Sequence, residues 1–354
     1  MFQLVKLLFR LPPVTLLVVL NLSFALLATS QENCLTDRGQ ILTANIGHVA
    51  ASGHLVTSLQ RGGWDTRPMV RVNKIDESGL IEISRWEAER FVSDIVLYAN
   101  TAFVAADYGL VSLDLRDPHH PIELDFINLE DSGHLAVDCG LAFAAVKLPS
   151  VGPGLFDIVD VSDTAAMERL GGLSWDIPAR VIHAIDAAGG IAVIADSSGL
   201  LMIDVSDPWR PTELGRWSHS HARDVALVRN LAVVALGSFS TNPDDYGIAV
   251  VDLSAPGTPV LASVKQDLGR VTSVAEYGGD VVVGTFDRGV VLINVDDSSN
   301  PVVVDRWEEA GMQVNGLATA WPSIALATHD FGLVVLGLKS SCIPPRHPSS
   351  RVTP

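Results

Sequence analysis

The residues best suited to chemistry recur along the chain rather than cluster in it. Asp94, His134, His183 and Asp224 follow one another at intervals of 40 to 49 residues, each near the start of a short apolar segment. Neutral imidazoles beside carboxylates suit a divalent metal, and the same pairing serves as a general acid and base. Spacing alone does not bring such groups to coordination distance, so their meaning rests on the elements that carry them. Motifs of stronger chemistry are missing: the chain has no phosphate-cradling glycine loop, no cysteine pair at zinc spacing, no HExxH and no GxSxG elbow.

The repeating element is clearest in residues 199–217, GLLMIDVSDPWRPTELGRW. An apolar run over 200–205, closed by Ser206, Asp207 and Pro208, reads as a buried strand entering a tight turn, and 213–217 as the returning strand. With Asp204 as anchor, equivalent positions fall at Asn73, Asp114, Asp160, Asp252, Asn294 and Gly337, spaced by 41 to 48 residues. Two more apolar strands precede each anchor. Four short strands per copy predict β-propeller blades, which stack around an axis because one blade cannot bury its faces alone. Seven anchors predict an all-β fold, a single seven-bladed propeller over residues 31–343. The segments LLMIDVSDPWRP, LVSLDLRDPHHP, IAVVDLSAPGTP and VVLINVDDSSNP resemble the LVIVD-repeat family of bacterial or archaeal propellers. That resemblance implies a secreted or surface protein of largely undefined role.

The last copy lacks its fourth strand, while a spare segment, residues 34–46, precedes the first copy. Supplying the missing strand from the N-terminus closes the last blade and removes two exposed edges. This register puts Cys34 and Cys342 two positions apart in one turn, which predicts a disulfide in an exported protein. Cys139 is left over and is expected to be a buried, inert thiol. An aromatic ends the fourth strand at Trp86, Phe126, Trp175, Trp217 and Trp307, where core packing between blades is the expected role.

Residues 1–30 carry Lys6 and Arg10 before an apolar run and end in Ala28, Thr29 and Ser30, the pattern of a cleaved signal peptide. A retained signal anchor is the alternative. The chain has 41 acidic and 24 basic residues, a net charge of −17. Without residues 1–30 it has 22 basic residues against 41 acidic, a net charge of −19. Such a surface argues against nucleic acid and anionic lipid as partners. The chain reads as an exported monomer at the cell surface, outside the cell or in the periplasm, with no membrane insertion after signal cleavage. Residues 344–354 are expected to be a disordered tail.

Counting seven residues back from each second strand gives Gly47, Asp94, His134, His183, Asp224, Ser273 and Asn315, an expected ring at the mouth of the central channel. Asp94, His134, His183 and Asp224 are its candidate metal ligands; the competing expectation is that these short polar groups bond neighbouring backbone. Loops between second and third strands open on the same face and are enlarged over 61–69, 147–154 and 237–247, with His219 and His221 nearby. The opposite face carries the Asp-Pro turns and His119 and His120. The function these features predict is a non-catalytic propeller, without cofactor, binding a protein or glycan through the loop-rich face. The alternatives are a metal-dependent hydrolase or lyase using the Asp/His ring, and a structural surface protein.

Overall fold

The computed structural model describes residues 34–339, except 44–45, 61, 63–66, 77–78, 130–131, 146–153, 176–180, 220–221, 238–245 and 310. The expected signal segment 1–30, Cys342 and the expected tail 344–354 therefore lie outside the described residues, as does most of each enlarged loop. The chain divides after Cys34, and the fold belongs to the unit that begins at Leu35.

Every regular element among the described residues is a strand, and the strands form seven four-stranded antiparallel sheets. The chain is a seven-bladed β-propeller. The inner strands are Ile46–Ser52, Val92–Tyr98, His134–Asp138, Ile182–Ala188, Ala222–Val228, Val271–Tyr277 and Val314–Ala320, of blades 1 to 7 in turn. Each packs against the next, and the seventh against the first, so the ring is closed.

The middle strands explain why the blades stack. Leu231–Leu236 is buried at all six positions, because alternate side chains point to opposite faces and both faces meet a neighbouring blade. The apolar clusters accordingly lie in the seams. Leu200, Met202 and Trp217 of blade 4 pack with Val225, Val234 and Val251 of blade 5, and Val233 and Ile248 of blade 5 pack with Val274 and Val283 of blade 6. Each such side chain contributes about 1.5–3 kcal/mol on burial. Trp217 sits inside its seam, and Trp86 and Phe126 pack against the cluster between blades 1 and 2, as expected of fourth-strand aromatics.

Blade 7 is completed from the N-terminus. Leu35–Ile41 pairs antiparallel with Leu333–Leu338, in the order expected from the missing fourth strand. Glycine geometry supports the equivalence independently. At the start of the third strand, a Cβ on Gly199 would stand 2.0 Å from the Trp217 carbonyl oxygen, and one on Gly332 would stand 2.3 Å from that of Ile41. The N-terminal strand thus makes the close backbone approach that fourth strands make elsewhere.

Blade 1 departs from the repeat. Its third and fourth strands, Met69–Asp76 and Gly79–Glu87, run past the anchor into an extended hairpin. The expected anchor is one residue early: Lys74 pairs with Leu55, and the Ile75 amide bonds His54 O at 2.8 Å, as Asp204 pairs with Ile191 and the Val205 amide bonds Gly190 O, so Asn73 lies in mid-strand, fully buried, its amide donating to the Val56 carbonyl at 3.1 Å. In blades 2 to 6 the anchor caps a turn: Asp204 accepts from the Ser206 amide and hydroxyl at 2.9 and 2.6 Å, and Asp252 from those of Ser254 at 2.8 and 2.6 Å. The Asp-rich turns are backbone caps.

Candidate functional site

The inner strands surround a cavity of 1490 Å³ to which all seven blades contribute. In six blades a β-bulge falls where the inner strand begins to pair, so one residue there has no partner on the second strand. The residues that pair just after this point are His48, Asp94, Ala184, Asp224, Ser273 and Gly316, joined in blade 3 by His134, which starts its strand without a bulge. This corrects the expected ring at three places. Gly47, His183 and Asn315 are the bulge residues one position earlier; they also line the cavity, but at a different level of the repeat.

The correction brings His48 into the site. Its Nδ1 is 3.0 Å from Asp94 Oδ1, while His134 Nδ1 is 3.8 Å from Asp94 Oδ2. The two imidazole centroids are 6.5 Å apart. Asp94 also accepts the amides of Ile95 at 2.8 Å and Leu135 at 3.0 Å. Burial alone would push its carboxyl up, but the charge and hydrogen bond of His48, the charge of His134 and the Leu135 amide together hold it below the ordinary carboxylate range. One carboxylate from blade 2 thereby binds groups from blades 1 and 3.

Asp224 occupies the same repeat position with the opposite outcome. It accepts the amides of Val225 and Val274 at 2.9 Å each, reaching from blade 5 to blade 6. Burial dominates here, the two amides and Arg223 oppose it only in part, and the nearby Asp186 carboxylate adds to it. The Asp224 carboxyl is pushed up to about 7. Asp186 makes the same kind of staple, accepting Ala187 at 2.9 Å and Leu227 of the next blade at 2.8 Å. Asp94, Asp186 and Asp224 thus bond backbone amides across blade seams.

Among the described residues no group of three or more His, Cys, Asp and Glu side chains is arranged to hold a metal ion. Asp94, His134, His183 and Asp224 do not assemble as a ligand set. Each aspartate instead accepts two backbone amides, one of them from the next blade.

The two faces are distinguished by their hydrogen bonds. On the mouth side, turns between second and third strands bond the residues just before the inner strands: Asp107 N to Phe91 O, Ser197 N to Val181 O, Phe286 N to Arg270 O and His329 N to Gln313 O, at 2.9 to 3.1 Å. His219 joins this face, bonding Ser198 O at 2.9 Å and stacking on Trp217 with centroids 4.9 Å apart; His221 lies outside the described residues. On the other face the anchor turns bond the turns after the inner strands, as in Val205 N to Gly190 O at 2.9 Å. His120 there pairs with Asp117 at 2.8 Å. Cys139 is exposed rather than buried, because it occupies a turn with φ 49°; the Asp138 carboxylate beside it, and some burial, push the thiol up and away from nucleophilic character.

The LVIVD repeat model matches residues 89–127 and 183–218, in blades 2 and 4. A search of curated proteins finds no match. The structure is similar to the Neurospora crassa Pan2 WD40 domain, with a TM-score of 0.63 and 11% identity over 88% of this chain and 96% of that one. It is also similar to a chain from the crystal structure of a mitotic checkpoint complex, with a TM-score of 0.65 and 12% identity over 86% of this chain and 91% of that one. At these identities the likeness is one of fold.

Proposed function

We propose that this chain is an exported, non-catalytic propeller that binds a protein or glycan partner through the channel-mouth face. The observation that carries the reading is the joining of the turns between second and third strands to the starts of the inner strands around one 1490 Å³ cavity. Loops held on a rigid ring are where recognition residues concentrate, whereas the other face is occupied by capped Asp-Pro turns. The acidic channel residues act as seam staples in this reading, so no reaction step is assigned to them.

The test compares variants of the two faces for retention of partners from secreted and cell-surface material. Asn315 is exposed and lines the cavity, so Asn315→Trp obstructs the mouth with little effect on the core. Partner retention is expected to be lost in Asn315→Trp and kept when His119 and His120 are replaced by Ala. The reverse pattern would place the working surface on the Asp-Pro face.

A further inference from the structure

Arg270 immediately precedes the inner strand of blade 6 and lines the channel-mouth cavity. Its guanidinium carbon stands 4.2 Å from the Phe286 ring centroid and 6.0 Å from that of Tyr246. Among the described residues it makes no salt bridge, in a chain with 41 acidic residues against 24 basic ones. A guanidinium stacked on an aromatic face keeps its in-plane N–H groups available for a planar anion. Arg223, the bulge residue of blade 5, lines the same cavity.

The acidic groups around the mouth are already engaged. Asp94 is held by His48 and two amides, Asp330 by His329 at 2.8 Å, and Asp186 by the Ala187 and Leu227 amides. Asp224 accepts two amides, and burial keeps it largely protonated up to about pH 7. Glu276, which also lines the cavity, accepts the Gly279 amide at 2.7 Å. Ser273 also lines the cavity, but its hydroxyl is buried in the seam beside Gly284, Val314 and Leu317 rather than turned to the channel.

We propose that Arg270, with Arg223, anchors the carboxylate of an acidic oligosaccharide entering the channel mouth, with hydroxyls of the sugar met by the short polar side chains of the rim. The inference rests on the mouth being the binding face. His183 and Ser197 of blade 4 and Asn315 of blade 7 share this lining. Hydrogen-bonding groups spread around a rim match a ligand with hydroxyls on all sides, where a peptide would present alternating apolar side chains. The cavity exceeds the ~300–1,000 Å³ usual for small-molecule sites, which leaves space for more than one sugar ring.

The experiment is calorimetric titration of the folded protein with an oligogalacturonate and with its fully methyl-esterified form, using wild type, Arg270→Gln, Arg270→Lys and Asn315→Trp. Thermal melts establish that each variant is folded. The acidic oligomer is expected to bind, with the ester and Arg270→Gln each weaker by about tenfold or more, Arg270→Lys intermediate and Asn315→Trp silent. Equal affinity for acid and ester, or unchanged binding by Arg270→Gln, would overturn the assignment. Preference for poly-glutamate or inorganic phosphate would overturn the saccharide class. If Asn315→Trp blocks partner retention while no oligosaccharide binds, this inference fails and the binding face stands; if it blocks nothing, both fail.

Discussion

His48 Nδ1 stands 3.0 Å from Asp94 Oδ1, and the other oxygen of that carboxylate accepts the Leu135 amide at 3.0 Å. A single side chain of blade 2 therefore touches blades 1 and 3 at the channel mouth. The contact reaches across two seams that are otherwise held by apolar packing.

Replacing His48 by Ala removes the main partner of a carboxylate whose other groups remain in place. The folded-state Asp94 carboxyl lies below its unfolded value, so its contribution is present above the ordinary carboxylate range, near 4, and is lost as pH falls through the folded-state value. His48→Ala is expected to destabilise the protein by about 1–3 kcal/mol at pH 7, with the difference from wild type shrinking toward pH 3. Urea denaturation across that range measures both. An equal loss at pH 3 and pH 7 would show that the residue acts through packing alone.

Asp224 is expected to respond to pH in the opposite sense. Its folded-state carboxyl, at about 7, lies above the unfolded value, so its contribution is complete below the ordinary carboxylate range and is lost as pH rises through about 7. Between pH 5 and pH 8 the wild-type Tm should carry a decline that Asp224→Asn lacks. Melting curves at half-unit steps give the two slopes directly, and parallel slopes would contradict the assignment.

The N-terminal closure predicts a covalent seal. Cys34 precedes the strand whose first residue, Leu35, pairs with Leu338; Cys139 is a free thiol; and Cys342 follows Leu338 by four residues. Non-reducing peptide mapping of exported protein should recover a Cys34–Cys342 bridge. Closing a loop of about 300 residues would contribute at most about 5–6 kcal/mol through the unfolded state, less any native strain. Free Cys34 and Cys342 thiols in the exported protein would refute the bridge.

Blade number and strand order were legible without coordinates, because each follows from a local pattern repeated along the chain, and the N-terminal completion of blade 7 followed from the one copy that lacked its fourth strand. Residues 200–205 announce a buried strand by an unbroken apolar run, and Asp204, Asp252 and their equivalents announce the turn that follows. The blade 1 anchor falls at Lys74 rather than at the expected Asn73, because a hairpin replaces the Asp-capped turn that marks the anchor elsewhere. The make-up of the channel ring was not legible, since Gly47, His183 and Asn315 were each one residue away from the paired position. A β-bulge adds a residue without changing composition, and one residue of slip along a strand exchanges one face for the other. The chain thus carries in its repeats how many blades form and where they join. Which imidazole meets Asp94, and why Asp94 stays charged while Asp224 takes up a proton, depend on the neighbouring blade across each seam. That neighbour lies 40 or more residues away in sequence and is brought into contact only by closure of the ring.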